Sequence, residues 1–491
     1  MKTKEKRIKH PDWQMTGSER KWYYISDTGR LFATMVLSNF LTVFLMFQGI
    51  SAASVATSIL IVKIIDALDD VLFGFIVDKV NPTKWKWAKK IAGTGKYMPW
   101  YRMTFWTFPL ATIFFFLMPK DMPEVAKIVW FTVFYLLYDL TCTLSEVPMN
   151  SMIVTLTEKP EERNHILTVK GVITVIAAVL LAVVWSALIS ESVGLSITSV
   201  AVVSSLIFLV MMLPMCFKVK EHNTELKNVA VEEKSEKYTL KDMLKCVFTN
   251  KYIFIFFIST LVYSCLATQL TLQGFAAFYI FNNSMIYSYI MLIGFVPGIL
   301  LSTQCGKIAN KIGKRNAMLA IMLIMAACTI AQFFMRDMNV WFFIIIGGIC
   351  AIPNALFSIV RNYIAPDTIE YTRYKTGKDC SGIFYSLNSF ITKATGGVAS
   401  ALGLYILAIA GWKDVEAESF ADLAAQGVQQ SEGALNALWA CCTLVPAAGC
   451  ILAAIILLFY KLKDKDAELM AQCNAGLITR EECETQLSRK Y

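Results

Sequence analysis

Long apolar blocks, separated by short polar or charged segments, dominate the sequence. Clear examples cover residues 31–48, 105–118, 166–189 and 435–460. A helix rises about 1.5 Å per residue, so roughly 20 mostly apolar residues are needed to cross a bilayer. Helical amphipathicity is weak in these blocks, as expected where lipid surrounds the outer face of each helix. The pattern predicts an all-α polytopic membrane protein.

Twelve transmembrane spans are expected along the chain. They cover about 23–48, 53–80, 100–119, 126–151, 166–189, 195–217, 252–281, 285–309, 315–335, 339–364, 381–411 and 434–461. The one long charged break, 218–251, is rich in Lys and Glu and predicts a solvated linker. It separates two pseudo-symmetric six-helix bundles at 23–217 and 252–461, with an N-terminal segment at 1–22 and a tail at 462–491.

A faint internal repeat supports this division. The second span closes on Gly74-Phe-Ile-Val-Asp78-Lys79, and the eighth closes on Gly306-Lys-Ile-Ala-Asn310-Lys311-Ile-Gly313-Lys314-Arg315. Both resemble the loop signature of the major facilitator superfamily, although the first copy is weak alone. In that fold two repeated halves enclose a binding site near the middle of the membrane.

Charge and composition agree with a membrane protein and argue against a nucleic-acid partner. Only 17% of the residues are charged, compared with about 25% in soluble domains. Lys and Arg gather in alternate segments, at 2–9, 20–21, 84–96, 307–315 and 461–465, whereas the hairpins at 49–54, 190–192 and 282–284 have none. Basic loops stay on the cytoplasmic side, so we expect a protein of the cell membrane with both termini in the cytoplasm.

Ionisable residues inside the second span form the strongest candidate site. Lys63, Asp66 and Asp70 share one helical face, and Asp69 lies within a turn of Asp66. Two carboxylates one turn apart repel each other unless a cation lies between them or one binds a proton. The pair therefore predicts a site for Na⁺ or H⁺. The alternative is a structural ion-pair network of these acids with Lys63 or Lys393.

The fourth span carries Asp139 and Glu146, seven residues apart and so on one face, with the Thr143 hydroxyl between them. A carboxylate accepts hydrogen bonds only, so Glu146 is suited to bind sugar hydroxyls. Its alternative role is an ion pair with the second half. Asp139 is a weaker candidate for the substrate site, because it could instead lie near the membrane surface.

Three cations lie in other spans. Lys393 is in the middle of the eleventh span and needs a carboxylate; Asp66 and Asp70 are the candidates, in a coupling role or a purely structural ion pair. Arg361, near the end of the tenth span, either extends to the cytoplasm or faces the cavity. Arg30 in the first span has the same two alternatives.

These motifs resemble the glycoside–pentoside–hexuronide:cation symporter family over about residues 20–462. The matching stretches are Asp66-Ala-Leu-Asp69-Asp70-Val-Leu-Phe-Gly74-Phe-Ile-Val-Asp78, Gly95-Lys96-Tyr-Met-Pro99-Trp100, Glu146-Val-Pro148, Thr155-Leu-Thr157, Glu162-Arg163, Asp367-Thr-Ile-Glu370-Tyr371, Lys375-Thr-Gly377, and Gly382-Ile-Phe-Tyr385-Ser386 leading to Lys393. The resemblance implies the major facilitator fold.

The resemblance also implies roles for single residues. Asp66 and Asp70 would hold the coupling cation with Thr143 near it, and these three would be the metal ligands if the cation is Na⁺. Glu146 stands where the family's helix-four acid binds sugar. Lys393 matches the lysine that links the two sites, and Lys170 falls near the family's helix-five arginine.

The sequence departs from the family at several of these positions. The helix-one sugar-binding acid is replaced by Leu31, directly after Gly29-Arg30, and the helix-four cavity tryptophan becomes Asn150. Asp69 replaces an asparagine between the coupling acids. The loss of one acid while Arg30, Arg361 and Lys170 remain suggests an anionic sugar such as a glucuronide.

Cation-coupled sugar or glycoside symport by alternating access, without a cofactor, is the function that this pattern favours. An uncoupled facilitator or exporter of the same fold, for a lipid or drug-like solute, is the main alternative. A sugar sensor without transport is a second one. A membrane enzyme is disfavoured, because the three histidines (His10, His165 and His222) are scattered in loops or tails and no nucleophile–base pair is visible.

Overall fold

The computed structural model describes residues 13–79, 97–222, 250–377 and 381–489, which are almost entirely helical. The eighteen helices of this part of the chain are α1 (Gly17–Phe47), α2 (Ala52–Lys79), α3 (Met98–Thr104), α4 (Thr107–Phe116), α5 (Glu124–Leu156), α6 (Pro160–Ile189), α7 (Ile197–Lys218), α8 (Lys251–Cys265), α9 (Gln269–Phe281), α10 (Ile286–Ile312), α11 (Lys314–Phe333), α12 (Val340–Thr376), α13 (Ser381–Ile409), α14 (Phe420–Gln426), α15 (Glu432–Cys442), α16 (Leu444–Leu457), α17 (Asp464–Asn474) and α18 (Arg480–Gln486).

The predicted all-α membrane fold is confirmed. Nine helical segments within the described ranges are long and apolar enough to cross a membrane. Each of the twelve expected spans coincides with one helix or with two consecutive helices. The third span is divided between α3 and α4, the seventh between α8 and α9, and the twelfth between α15 and α16. The hydropathy pattern does not reveal these interruptions, because the residues around each break are mostly apolar.

A proline in α7 explains one specific contact between α7 and α1. Pro214 lies inside α7 and cannot donate a backbone hydrogen bond. One residue later, the backbone N–H of Met215 donates to the Ser26 hydroxyl of α1, which in turn donates to the Met211 carbonyl. Gly29, three residues after Ser26, lets α1 approach closely, since a Cβ there would lie 2.7 Å from the Met211 Cβ. One face of α1 is thereby fixed against α7.

The contacts within the chain define two compact units, which we describe separately. Unit 1 consists of residues 1–41, 69–181 and 197–235, and unit 2 consists of residues 42–68, 182–196 and 236–491. In unit 1, α5 packs against α3 and α4, and α4 packs against α7. In unit 2, α12 packs against α10 and α11, while α16 packs against α8 and α11. The expected boundaries of the two six-helix halves stay a prediction.

The segment after residue 461 folds onto the rest of unit 2. The Asp464 carboxylate accepts a hydrogen bond from the Lys314 backbone N–H at 2.8 Å. The Asn474 side chain donates to the Glu370 carboxylate at 2.7 Å. Met470 is completely buried in the same hydrophobic cluster as residues of α8, α11 and α12. The predicted tail is therefore a docked helical pair, α17 and α18.

Replacing Met470 with Ala tests this docking. Removing a buried methionine side chain costs about 2–5 kcal/mol, so α17 is expected to detach far more often. Limited proteolysis of the purified protein should then cleave after residue 461 faster than in the wild type. Leu477→Ala is the control, because that side chain is 75% exposed. Equal cleavage rates for the wild type and the Met470 variant would contradict the docked arrangement.

Candidate functional site

Within the part of the chain that the structure describes, two clusters of ionisable side chains lie inside the apolar helices, one in each unit. The Asp66 cluster consists of Lys63, Asp66 and Lys393 in unit 2. The Asp27 cluster consists of Asp27, Arg30, Glu146 and Lys170 in unit 1. Charged groups inside a membrane are costly, rare and usually functional. These two clusters are therefore the candidate functional sites.

Asp66 is almost completely buried and is bound by two lysines. Its Oδ1 accepts a hydrogen bond from the Lys393 Nζ at 2.7 Å, and its Oδ2 accepts one from the Lys63 Nζ at 3.2 Å. Lys63 lies one turn before Asp66 on α2, whereas Lys393 comes from α13. The predicted ion pair between Lys393 and the acids of the second span is thus present at Asp66.

Gly397 explains how α13 comes close enough for this pair. A Cβ at Gly397 would lie 2.5 Å from the Lys63 Cβ, so only glycine permits the observed approach of α13 to α2. Lys393 is one turn before Gly397 and consequently lies on the same face of α13. Further along the same two helices, the hydroxyls of Thr57 and Tyr405 are hydrogen-bonded at 2.8 Å. The close contact between the helix backbones thereby brings the Lys393 ammonium to Asp66.

The remaining predicted cation ligands are only partly described. The backbone of α2 continues through residues 69 and 70, but the side chains of Asp69 and Asp70 lie outside the described residues. Thr143 is buried in α5 of unit 1. Among the residues that the structure describes, no group of three or more His, Cys, Asp or Glu could hold a metal ion. The cation-binding roles of Asp66, Asp69, Asp70 and Thr143 stay predictions.

In the Asp27 cluster, α1, α5 and α6 each contribute charged groups. The Arg30 guanidinium lies 3.7 Å from the Asp27 Oδ1 and 3.7 Å from the Glu146 Oε2. The Lys170 Nζ lies 3.1 Å from the Asp27 Oδ2. Arg30 is 2% exposed, so its side chain faces the other charges inside unit 1 and does not extend to the membrane surface. Three predicted substrate residues, Arg30, Glu146 and Lys170, are thus brought together.

Asp27 is the residue that sequence reasoning missed. It is fully buried and connects Arg30 with Lys170. A signal was available, because Asp27 lies within the first expected span and three residues before Arg30, on the same helical face. The cost of a charge inside a span, which singled out Asp66, applies to Asp27 equally.

The other predicted substrate residues lie on α5 and α12. The Asn150 side chain is one turn from Glu146, with its Nδ2 3.5 Å from the Glu146 Oε1. Asp139 is buried on the same helix, α5, and so does not reach a water-exposed surface of unit 1. Arg361 of α12 donates to the Asn388 Oδ1 at 3.1 Å and contacts the Thr392 hydroxyl at 3.4 Å, both on α13. Arg361 is therefore held by polar groups of α13 in this structure.

Apolar helices long enough to cross a membrane, with ion pairs buried between them, are typical of a polytopic membrane protein. Residues 23–464 match the family described as MFS/sugar transport protein. The chain therefore belongs to this family of the major facilitator superfamily, whose members are transporters and not enzymes, and the resemblance noted from the sequence motifs is confirmed.

Individual relatives are distant but match nearly end to end. The isoprimeverose transporter of Lactiplantibacillus pentosus is 26% identical over 92% of this chain and 90% of its own length. The glucuronide carrier protein homolog of Escherichia coli strain K12 is also 26% identical, over 90% of this chain and 92% of its own. A solved structure of a bacterial homolog of the human lysosomal transporter Spinster matches with a TM-score of 0.60 and 12% sequence identity. The match covers 91% of this chain and 97% of the solved one. That likeness supports the fold alone.

Two adjacent glycines of α13 offer a matched test of the contact at Lys63. Gly397→Ala places a methyl group 2.5 Å from the Lys63 Cβ, whereas a Cβ at Gly396 meets nothing within 4 Å. Overpacking of this kind costs about 1–3 kcal/mol, but an alanine without a clash stabilises a helix by about 0.5–1 kcal/mol. Thermal unfolding in detergent should show a lower Tm for Gly397→Ala and an unchanged or higher Tm for Gly396→Ala. Equal Tm values for the two variants would contradict the close contact.

Proposed function

We propose that this protein is a secondary active transporter that couples the entry of Na⁺ or H⁺ to the uptake of a sugar or glycoside. The observation that carries this proposal is the buried Asp66 carboxylate held by Lys393 from another helix. If a bound cation displaces Lys393 from the Asp66 carboxylate, α13 loses a contact with α2. Cation binding would thereby change how α13 packs. Family membership supports sugar transport, and the ion coupling is our inference.

The proposed cation site uses Asp66 and Asp70, one turn apart on α2, with Asp69 and Thr143 as further oxygen ligands. Without the cation, the lysines neutralise Asp66. An entering cation competes with Lys393 for the Asp66 carboxylate, because both are positively charged and each stabilises the ionised acid. Carboxylate and hydroxyl oxygens suit a hard cation such as Na⁺, and a carboxylate also binds H⁺. Both cations remain consistent with this ligand set.

The proposed sugar site is built around Glu146. Its side chain is 48% exposed although its neighbour Arg30 is buried, so it is available to accept hydrogen bonds from sugar hydroxyls. Asn150, Lys170, Arg30, Asp139 and Arg361 are the further candidates for substrate binding. We place both termini in the cytoplasm and the protein in the cell membrane. Alternating access of the site to the two sides would complete the transport cycle.

An uptake screen in vesicles tests the proposal as a whole. Uncharged glycosides and glycosiduronates would be offered with a Na⁺ gradient and a pH gradient imposed separately. We expect one gradient to drive accumulation of a sugar. Accumulation that never responds to either gradient would instead favour an uncoupled facilitator of the same fold.

Asp70→Cys tests the cation site. A cation moving through 100 mV supplies about 2.3 kcal/mol, enough for roughly 50-fold accumulation of the sugar. The variant should lose this accumulation, because one of the two proposed carboxylate ligands is gone. Exchange of labelled sugar across the membrane without a gradient serves as the control for folding and substrate binding. Normal accumulation with unchanged ion dependence would remove Asp70 from the site.

Glu146→Ala tests the sugar site. Hydrogen bonds to a charged group contribute about 1.5–3 kcal/mol, so the Kd for the transported sugar should rise about 10- to 100-fold. Calorimetry on the purified protein would measure sugar binding and cation binding separately. Cation affinity in the absence of sugar is the internal control and should change little. A sugar affinity equal to that of the wild type would exclude Glu146 from the binding site.

A further inference from the structure

The arrangement around Asp27 bears on the charge of the substrate, and this inference rests on the proposed sugar transport. Asp27 is fully buried, and neither of its carboxylate oxygens accepts a hydrogen bond from the described residues. Its stabilisation comes from two cations, Lys170 at 3.1 Å and Arg30 at 3.7 Å. An isolated buried carboxylate is costly, so this carboxylate depends on both of its cationic neighbours.

The four charges of the Asp27 cluster cancel. Asp27 and Glu146 are acidic, and Arg30 and Lys170 are basic, so the cluster is neutral. The two acids differ in accessibility, since Glu146 is 48% exposed and Asp27 is not exposed at all. Only Glu146 is therefore accessible as a carboxylate for a sugar. Asp27 acts through its neighbours and is a positioning residue.

We propose that Asp27 sets the charge of the accepted sugar: by neutralising Lys170 and sharing Arg30 with Glu146, it makes the cluster selective for an uncharged glycoside. A sugar carboxylate would have to compete with Asp27 for Lys170, or with Glu146 for Arg30. Either way, a third negative charge enters a cluster that has only two cations. Juxtaposed like charges disfavour such a ligand.

The fold fixes Asp27 in this role. Ser26 and Gly29 share the face of α1 that contacts Met211 of α7. Asp27 and Arg30 each follow one residue later, so they share the adjacent face and point to Glu146 and Lys170. Rotation of α1 would break the Ser26 contacts, and the acid therefore cannot withdraw from the two cations without loss of helix packing.

The test compares pairs of substrates that differ in one charge. Purified protein in vesicles would be offered para-nitrophenyl glucoside and glucuronide, and the corresponding galactoside and galacturonide, in both anomers. The measured quantity is the ratio of uptake of the uncharged member to that of the anionic member. We expect the wild type to prefer the uncharged member at least about tenfold.

A substitution that removes the charge of Asp27 alone should change this ratio, and one that keeps the charge should not. Asp27→Asn leaves one uncompensated cation, so the ratio should fall about tenfold or reverse, whereas Asp27→Glu keeps the charge and should keep the preference. The double variant Asp27→Asn/Lys170→Met is neutral again and should recover the wild-type ratio, though not the wild-type rate. A purely structural role for Asp27 would not produce this recovery.

Three outcomes would overturn the inference. The first is a wild type that prefers the anionic member, and the second is an Asp27→Asn variant with an unchanged ratio. The third is a double variant that keeps the altered ratio of the single variant. If the wild type transported neither member of any pair under either gradient, the proposed sugar transport would itself fail, a result that is distinct from an unchanged ratio.

Discussion

The cost of placing charge inside apolar helices governs both candidate sites. A charged side chain at the centre of a membrane costs about 2.5–3.5 kcal/mol on insertion scales, and it persists only where an opposite charge or a functional ligand compensates for it. In both clusters part of the compensation comes from another helix: Lys393 of α13 reaches Asp66 of α2, and Arg30 of α1 reaches Glu146 of α5. The ion pairs therefore restrict how helices within each unit can pack, as well as neutralising charge.

The sequence is sufficient to predict the fold class and much of one site. Apolar blocks of membrane-spanning length predict the helices, because a segment in lipid must satisfy its own backbone hydrogen bonds and a helix does so. The sequence predicts that Lys393 pairs with an acid of the second span, since a buried lysine needs a carboxylate, but it leaves Asp66 and Asp70 as alternatives. By contrast, the hydropathy pattern does not predict the breaks between α8 and α9 and between α15 and α16, because the residues around them are mostly apolar.

The unpredicted part of the site depends on rotation about helix axes. Asp27 and Arg30 were both visible in the first span, but which neighbouring helices they face depends on the contact of Ser26 and Gly29 with α7. That contact in turn depends on Pro214, far away in sequence. Arg361 is a similar case, since its partners Asn388 and Thr392 are neutral residues of another helix and carry no charge pattern. Tertiary orientation, rather than composition, decides such partners.

The two clusters hold their buried acids in different ways. The Asp27 cluster has equal numbers of acids and bases, so it can remain intact while a neutral ligand binds beside it. In the Asp66 cluster the carboxylate is bonded to two lysines, so the proposed cation would compete with them for its oxygens. Lys63 shares a helix with Asp66, whereas Lys393 belongs to α13 and is next to the tight contact at Gly397. Displacement of Lys393 by the proposed cation would remove this ionic link between α2 and α13, while the close packing at Gly397 and the hydrogen bond between Thr57 and Tyr405 would remain.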